Sequence, residues 1–218
     1  PFRQDSTLLY FCGLSQPNVA LLIDCDSGRS TLLADDPQPD DIVWTGPVPE
    51  RAALAASAGI EQHARLADLP DRLEAAEGQG RRVHRLPTAR GGGTHAVSAA
   101  LLQAVIAMRA VKTDEEVAEI EAVLHHTRDM HLLAMRLARS GTVEQAVVGA
   151  MEGLLLQRGL RTAYPSIFSS RGEILHNHHH DRTLKDGDIV VNDSGAESAR
   201  GYASDITRTI PASGRFTP

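Results

Sequence analysis

No stretch of this sequence approaches the roughly 20 consecutive apolar residues that a membrane-spanning helix needs. Cysteine is nearly absent. Cys12 and Cys25 are too few for a disulfide framework and lack the spacing of metal ligands, so both read as buried thiols in a reducing, cytoplasmic compartment. Positive charge is also short: 22 Lys and Arg stand against 28 Asp and Glu, for a formal net charge of −6. The basic residues are scattered, with no stripe interleaved with aromatics, which argues against nucleic acid as a partner. Neither an internal repeat nor a low-complexity tract occurs. The chain opens on Pro1 rather than Met, so the lack of a leader carries no information.

At 218 residues and 42% hydrophobic, the chain is long enough to bury a substantial core. The first hundred residues alternate strand and helix signals. "NVALLIDC" (Asn18–Cys25) and "STLLAD" (Ser30–Asp35) are short apolar runs around a "DSGR" turn, and "DIVWTG" (Asp41–Gly46) reads as another strand. "PERAALAASAG" and "LADLPDRLEAAEG" read as helices, "RRVHRLP" as a short strand. This pattern predicts a small α/β domain. "ARGGGTHAVS" (Ala89–Ser98) is Gly-rich but lacks the Lys-Ser/Thr of a phosphate loop, and a solvent loop is the plainer reading.

From Ala99 the chain turns helical, with a domain boundary near Met108–Thr113 that divides it into residues 1–108 and 109–218. A capping box, Thr113 with Glu116, opens a long helix whose apolar stripe is Val117, Ile120, Leu124, His131, Met135 and Ala138. A second box, Thr142 with Gln145, opens another helix with Val148, Met151 and Leu155 inward. His125, His126 and His131 read as surface or packing residues, because adjacent helical positions point about 100° apart.

Beyond Gly159 the period changes to two. Glu173–His176 reads as a strand, "KDGD" as a turn and Ile189–Ser194 as a strand with Ile189, Val191 and Asp193 on one face. Tyr202–Ile210 is the next strand, with Ala203, Asp205 and Thr207 together. A hairpin centred on Ala199 would set Asp193 directly opposite Asp205, with Cβ atoms about 5 Å apart. Two opposed carboxylates require either a protonated partner or a cation between them. Oxygen donors of this kind suit a hard or borderline divalent metal. The alternative is an Asx-type turn at Asp193 and an exposed edge at Asp205. "NHHHD" reads as a polar loop, since consecutive histidines of an extended chain cannot all face one ion.

The block "ILHNHHHDRTLKDGDIVVNDSGAESARGYASDITRTIPASGRFT" resembles the central motifs of the pita-bread metallopeptidases, most closely the Xaa-Pro aminopeptidases (aminopeptidase P) and prolidases. Ile174–His176, Asp186–Asp188, Asp193–Gly195 and Tyr202–Thr209 carry the likeness. "MRAVKTDEEVAEI" is similar to that family's entry into its catalytic domain, and "PFRQDSTLLYFCGLSQPNVALLI" to its creatinase-like N-terminal domain. The resemblance implies an α/β creatinase-like N-terminal domain followed by an incomplete α+β pita-bread catalytic domain. It implies Asp193 and Asp205 as ligands of two divalent metal ions, Mn²⁺ foremost with Zn²⁺ or Co²⁺ as alternatives. His176 is implied as the catalytic and substrate-binding histidine beside them. The implied activity is hydrolysis of the Xaa-Pro bond at a peptide's N-terminus by a hydroxide between the two metals. A peptide with proline second is the implied substrate, and a homodimer is compatible with the family. Prolidase activity and a non-catalytic binding module are the alternatives. The family completes its site with a His and two Glu, one of them the general base, from a later part of its domain. The chain is therefore expected to be a fragment, truncated at both ends and inactive by itself.

Overall fold

In the computed structural model, residues 2–87 and 96–216 are described. The Gly-rich stretch from Ala89 to Thr94 lies outside them. Backbone packing divides the chain into two compact units, Pro1–Val111 and Lys112–Pro218. Among the described residues no helix is long and apolar enough to cross a membrane.

The first unit opens with helix α1 (Ser6–Cys12), capped by the Asp5 carboxylate. Strands β1 (Val19–Asp24) and β2 (Arg29–Ala34) form an antiparallel hairpin through the predicted turn, and β3 (Gln62–Ala64) joins β2 in parallel. Leu32, Leu54 and Ala55 close a small core with Cys12 and Leu14. Cys25, expected to be buried, is exposed, because it sits in the hairpin turn. "DIVWTG" is helical, not extended: α2 spans Pro39–Thr45. The Asp41 carboxylate accepts the Gln38 N–H at 2.8 Å and Pro39 preorganises the first turn. Ile42, Val43 and Trp44 are exposed and have no sheet to enter. Helices α3 (Arg51–Ser57), α4 (Leu69–Gly78) and α5 (Ala99–Ala110) follow. "RRVHRLP" contributes one bridge, Arg85 to Val97, rather than a strand.

In the second unit the Thr113 capping box opens α6 (Asp114–Leu137) as the spacing predicts. The face that helix buries is different. Val123, Thr127, Met130, His131, Ala134 and the following Ala138 are inward, whereas Val117, Leu124 and Met135 are exposed. His131 and Ala138 are inward as the spacing predicts; the face turns by about one residue toward Thr127, whose hydroxyl finds buried partners in Ser204 and Ala196. Helix α7 (Glu144–Gln157) buries Val148, Met151 and Leu155, but its cap is not the Thr142 box. The N–H groups of Glu144 and Gln145 donate to the carbonyls of Arg182 and His180 at 2.9 and 2.8 Å. A neighbouring segment thus satisfies donors that a side chain would otherwise cap.

Strands β4 (Arg161–Thr162), β5 (Ile167–Ser169), β6 (Ile189–Ser194), β7 (Ala196–Glu197) and β8 (Ile206–Pro211) make two small antiparallel sheets, β4–β7 and β5–β6–β8. Helix α6 lies over β6, β7 and β8, and α7 over β4 and β5. Phe168, Val190, Met130, Met151 and Leu155 fill the core between. Alternation on β6 turns Val190, Asn192 and Ser194 into that core and leaves Val191 and Asp193 on the other face. Residues 173–176 are turns, not the expected strand, because β5 occupies the ladder beside β6. A Cβ at Gly172 would come within 2.7 Å of Val191, and the chain bends away there, leaving Ile174 and Leu175 exposed. The last strand starts at Ile206, not Tyr202.

Candidate metal centre

Asp193 emerges near the end of β6, half-buried on the open face of the sheet. Its partner across the ladder is Thr207, and Ile167 stands opposite on the other side. The expected direct pairing with Asp205 is therefore displaced by two residues. Asp205 precedes β8 and is the diagonal neighbour of Asp193 on the same face, still within reach of a shared partner. The displacement has a local cause. After Ser194 the chain leaves β6, and Ala196–Glu197 pairs with β4. The Ala163 N–H donates to the Gly195 carbonyl at 2.9 Å, and the Ser204 N–H to the Ala196 carbonyl at 3.0 Å. The two strands so close around Arg200 rather than Ala199.

Gly195 is where this crossing is tightest. A Cβ there would stand 1.8 Å from the Ser204 carbonyl oxygen and 3.2 Å from Cε1 of Tyr164. No other residue fits without moving the backbone, which is the physical content of the Asp-x-Gly pattern.

The two acids converge on one group. The Tyr164 hydroxyl lies 2.6 Å from Asp193 Oδ1 and 2.8 Å from Asp205 Oδ1. Burial first, and then hydrogen bonding to the two carboxylates, push the phenol's ionisation far above its ordinary value. Tyr164 is therefore a permanent donor, shared between two acceptors. Sequence reading missed it. Its one local signal is Pro165, which holds the preceding residue extended, but only the pairing of β5 with β6 brings it to the acids.

A cleft of about 330 Å³ opens in front, lined by Tyr164, Pro165, Ile167, His176, His178, Asp193 and Asp205. His176 thus joins the aspartates, although from a turn and not from a strand alongside β6. Asn177 between the two histidines is buried. Its amide donates to Ser169 Oγ at 2.9 Å and its carbonyl oxygen accepts the His179 N–H at 3.1 Å. The His180 ring nitrogen Nδ1 lies 3.1 Å from the Phe168 carbonyl. The histidine loop is therefore pinned to β5 at Asn177 and His180, with His176 and His178 left facing the cleft.

Of the helical histidines, His131 is the buried one. Burial lowers its pKa, so the ring is neutral at pH 7; Nδ1 accepts from the Asn192 amide at 3.1 Å. His125 Nδ1 lies against the Glu121 carbonyl and His126 Nδ1 against Arg158, both on the outer surface.

Two carboxylates served by a single neutral donor leave negative charge facing the cleft, and such oxygens are the donors hard divalent cations prefer. That donor set fits a metal. Among the described residues no group of three or more His, Cys, Asp or Glu is arranged around one ion, so Asp193 and Asp205 stand as a pair.

Residues 94–218 match the family described as metallopeptidase family M24, and residues 1–84 match the N-terminal domain of aminopeptidase P. The whole chain is 30% identical to the Xaa-Pro aminopeptidase of Escherichia coli K12, covering 55% of it. It is 28% identical to the Haemophilus influenzae Xaa-Pro aminopeptidase, again over the whole chain and 54% of the relative. A zinc-substituted E. coli aminopeptidase P with bound product has the same fold over all of this chain and 55% of its own, at a TM-score of 0.82 and 24% identity. The chain spans about half the length of these relatives. With the M24 match extending over more than half of its residues, the chain belongs to metallopeptidase family M24, its peptidase segment preceded by an aminopeptidase P N-terminal domain.

Proposed function

We propose that the full-length protein is a metal-dependent exopeptidase that removes the first residue of peptides having proline second. The observation that carries this reading is the convergence of Asp193 and Asp205 on the Tyr164 hydroxyl at the edge of a cleft that His176 also lines. The Xaa-Pro aminopeptidase names of its relatives support the substrate class.

Asp193 and Asp205 would contribute ligands to two divalent ions, Mn²⁺ foremost, with Zn²⁺ or Co²⁺ as alternatives. Bound there, such ions lower the pKa of a coordinated water and polarise a carbonyl. The rest is the work of side chains. Tyr164, whose hydroxyl meets an oxygen of each acid, would keep the carboxylates in register. His176, which lines the same cleft, would donate to the scissile carbonyl oxygen as charge develops there. Pro165 and Ile167 form an apolar floor beside Asp193, which suits the ring of a substrate proline and gains from its burial.

The test is direct. Full-length protein reconstituted with Mn²⁺ should release the N-terminal residue from an Xaa-Pro-Xaa tripeptide and leave an Xaa-Ala-Xaa tripeptide intact. No release from the proline peptide, with metal shown to be bound, would sink the proposal.

A further inference from the structure

The polar residues that α6 buries lie directly behind the two aspartates. Thr127 and His131 are one helical turn apart and so share a face. His131 Nδ1 accepts from the amide of Asn192, and Nε2 stands 3.4 Å from both the carbonyl and the hydroxyl of Ser194. Ser194 in turn donates to the Asn192 side-chain oxygen at 3.0 Å. Asn192 and Ser194 are the two neighbours of Asp193 on β6, and both are fully buried. One turn earlier, the Thr127 hydroxyl makes a short hydrogen bond with Ser204, the residue before Asp205. The Ala196 N–H donates to Thr127 Oγ1 and to Ser204 Oγ, each at 3.1 Å.

Each acid is therefore flanked by a buried polar group that one helix holds. We infer that Thr127 and His131 are positioning residues, which set the separation of Asp193 and Asp205 by anchoring β6 and the Ser204 segment to a single rigid element.

Three features favour this over ordinary packing. A buried hydroxyl or imidazole without a partner costs about 1–3 kcal/mol, so these contacts are directional where an apolar pair would slide. Thr127 binds on both sides of the Gly195 crossing, where the backbones touch and a small slip moves Asp205 relative to Asp193. And the network lies on the face of β6 opposite the cleft, where it can act on the acids without touching substrate. It is the arrangement by which groups behind a ligand tune a metal site.

This inference rests on the metal-binding reading above, and the experiment separates the two. Mn²⁺ affinity of the full-length protein is measured by calorimetry, and the Co²⁺ absorption spectrum reports ligand geometry. Thr127→Val, which keeps the shape and removes the hydroxyl, should weaken Mn²⁺ binding about 10–100-fold and alter the Co²⁺ spectrum. Thr127→Ser should restore both. Ser204→Ala breaks the same bond from the other side and should resemble Thr127→Val; it carries the test if the valine variant does not fold. Wild-type affinity and spectrum in Thr127→Val or Ser204→Ala would overturn the inference, as would equal losses in Thr127→Val and Thr127→Ser. A wild-type protein that takes up no metal would overturn the metal reading and this inference with it.

Discussion

Asp193 and Asp205 are joined through one hydroxyl: the Tyr164 phenol meets an oxygen of each at 2.6 and 2.8 Å. Acids two ladder positions apart would otherwise repel and splay. Here a donor that does not ionise in the ordinary range holds them toward the same point, and the expectations below follow from that geometry.

Replacing Asp205 by Asn removes one of the two charges and should abolish metal uptake and Xaa-Pro cleavage while the fold is kept. Metal analysis beside circular dichroism reads both; turnover with added Mn²⁺ equal to wild type would refute the ligand role.

His176 lines the same cleft as the two acids. His176→Ala should keep the wild-type metal stoichiometry and lower kcat by about 100-fold or more, the range for a lost charge-stabilising donor. A drop in bound metal would instead make it a ligand.

For Tyr164 the pH dependence gives the sign. The folded-state pKa of the phenol is raised, so the native state holds this proton more tightly than the unfolded chain does. The resulting stability is present below the unfolded value of about 10 and disappears as pH rises beyond it. In the metal-free protein, wild-type minus Tyr164→Phe absorbance should show no phenolate signal near pH 10. A normal titration there would contradict the shared hydrogen bond.

Two glycines should respond oppositely to alanine. Gly195→Ala forces a Cβ to 1.8 Å from the Ser204 oxygen and should cost about 3 kcal/mol, or prevent folding. Gly153, within α7, has nothing within 4 Å of the position its Cβ would take. Gly153→Ala should stabilise by about 0.5–1 kcal/mol. Urea denaturation of the two variants compares them.

The readable parts of this chain were those governed by neighbours in sequence. The Thr113–Glu116 box starts α6, the Lys185–Asp188 turn precedes β6, and period-two alternation puts Asp193 on a face apart from Asn192. The motif block from Ile174 onward marked His176, Asp193 and Asp205 as belonging to one site. Apolar content misled where burial depended on distant partners: Ile42, Val43 and Trp44 look like a strand but stay exposed on α2, and on α6 the polar Thr127 is buried while the apolar Val117, Leu124 and Met135 are exposed.

The sequence by itself determined the strand–helix alternation of the first part, the caps and turns of the second and the faces of its strands, because these act over a few residues; the α+β plan and the identity of the acids came from the motif resemblance. Tertiary structure alone decided how the acids meet. The displacement of Asp205 to a diagonal, the arrival of Tyr164 from the start of β5 and the anchoring by α6 all depend on which strands pair and how closely backbones approach at Gly195. Those are contacts between residues 9 to 77 positions apart, and no local preference encodes a register that steric contact at such a crossing selects.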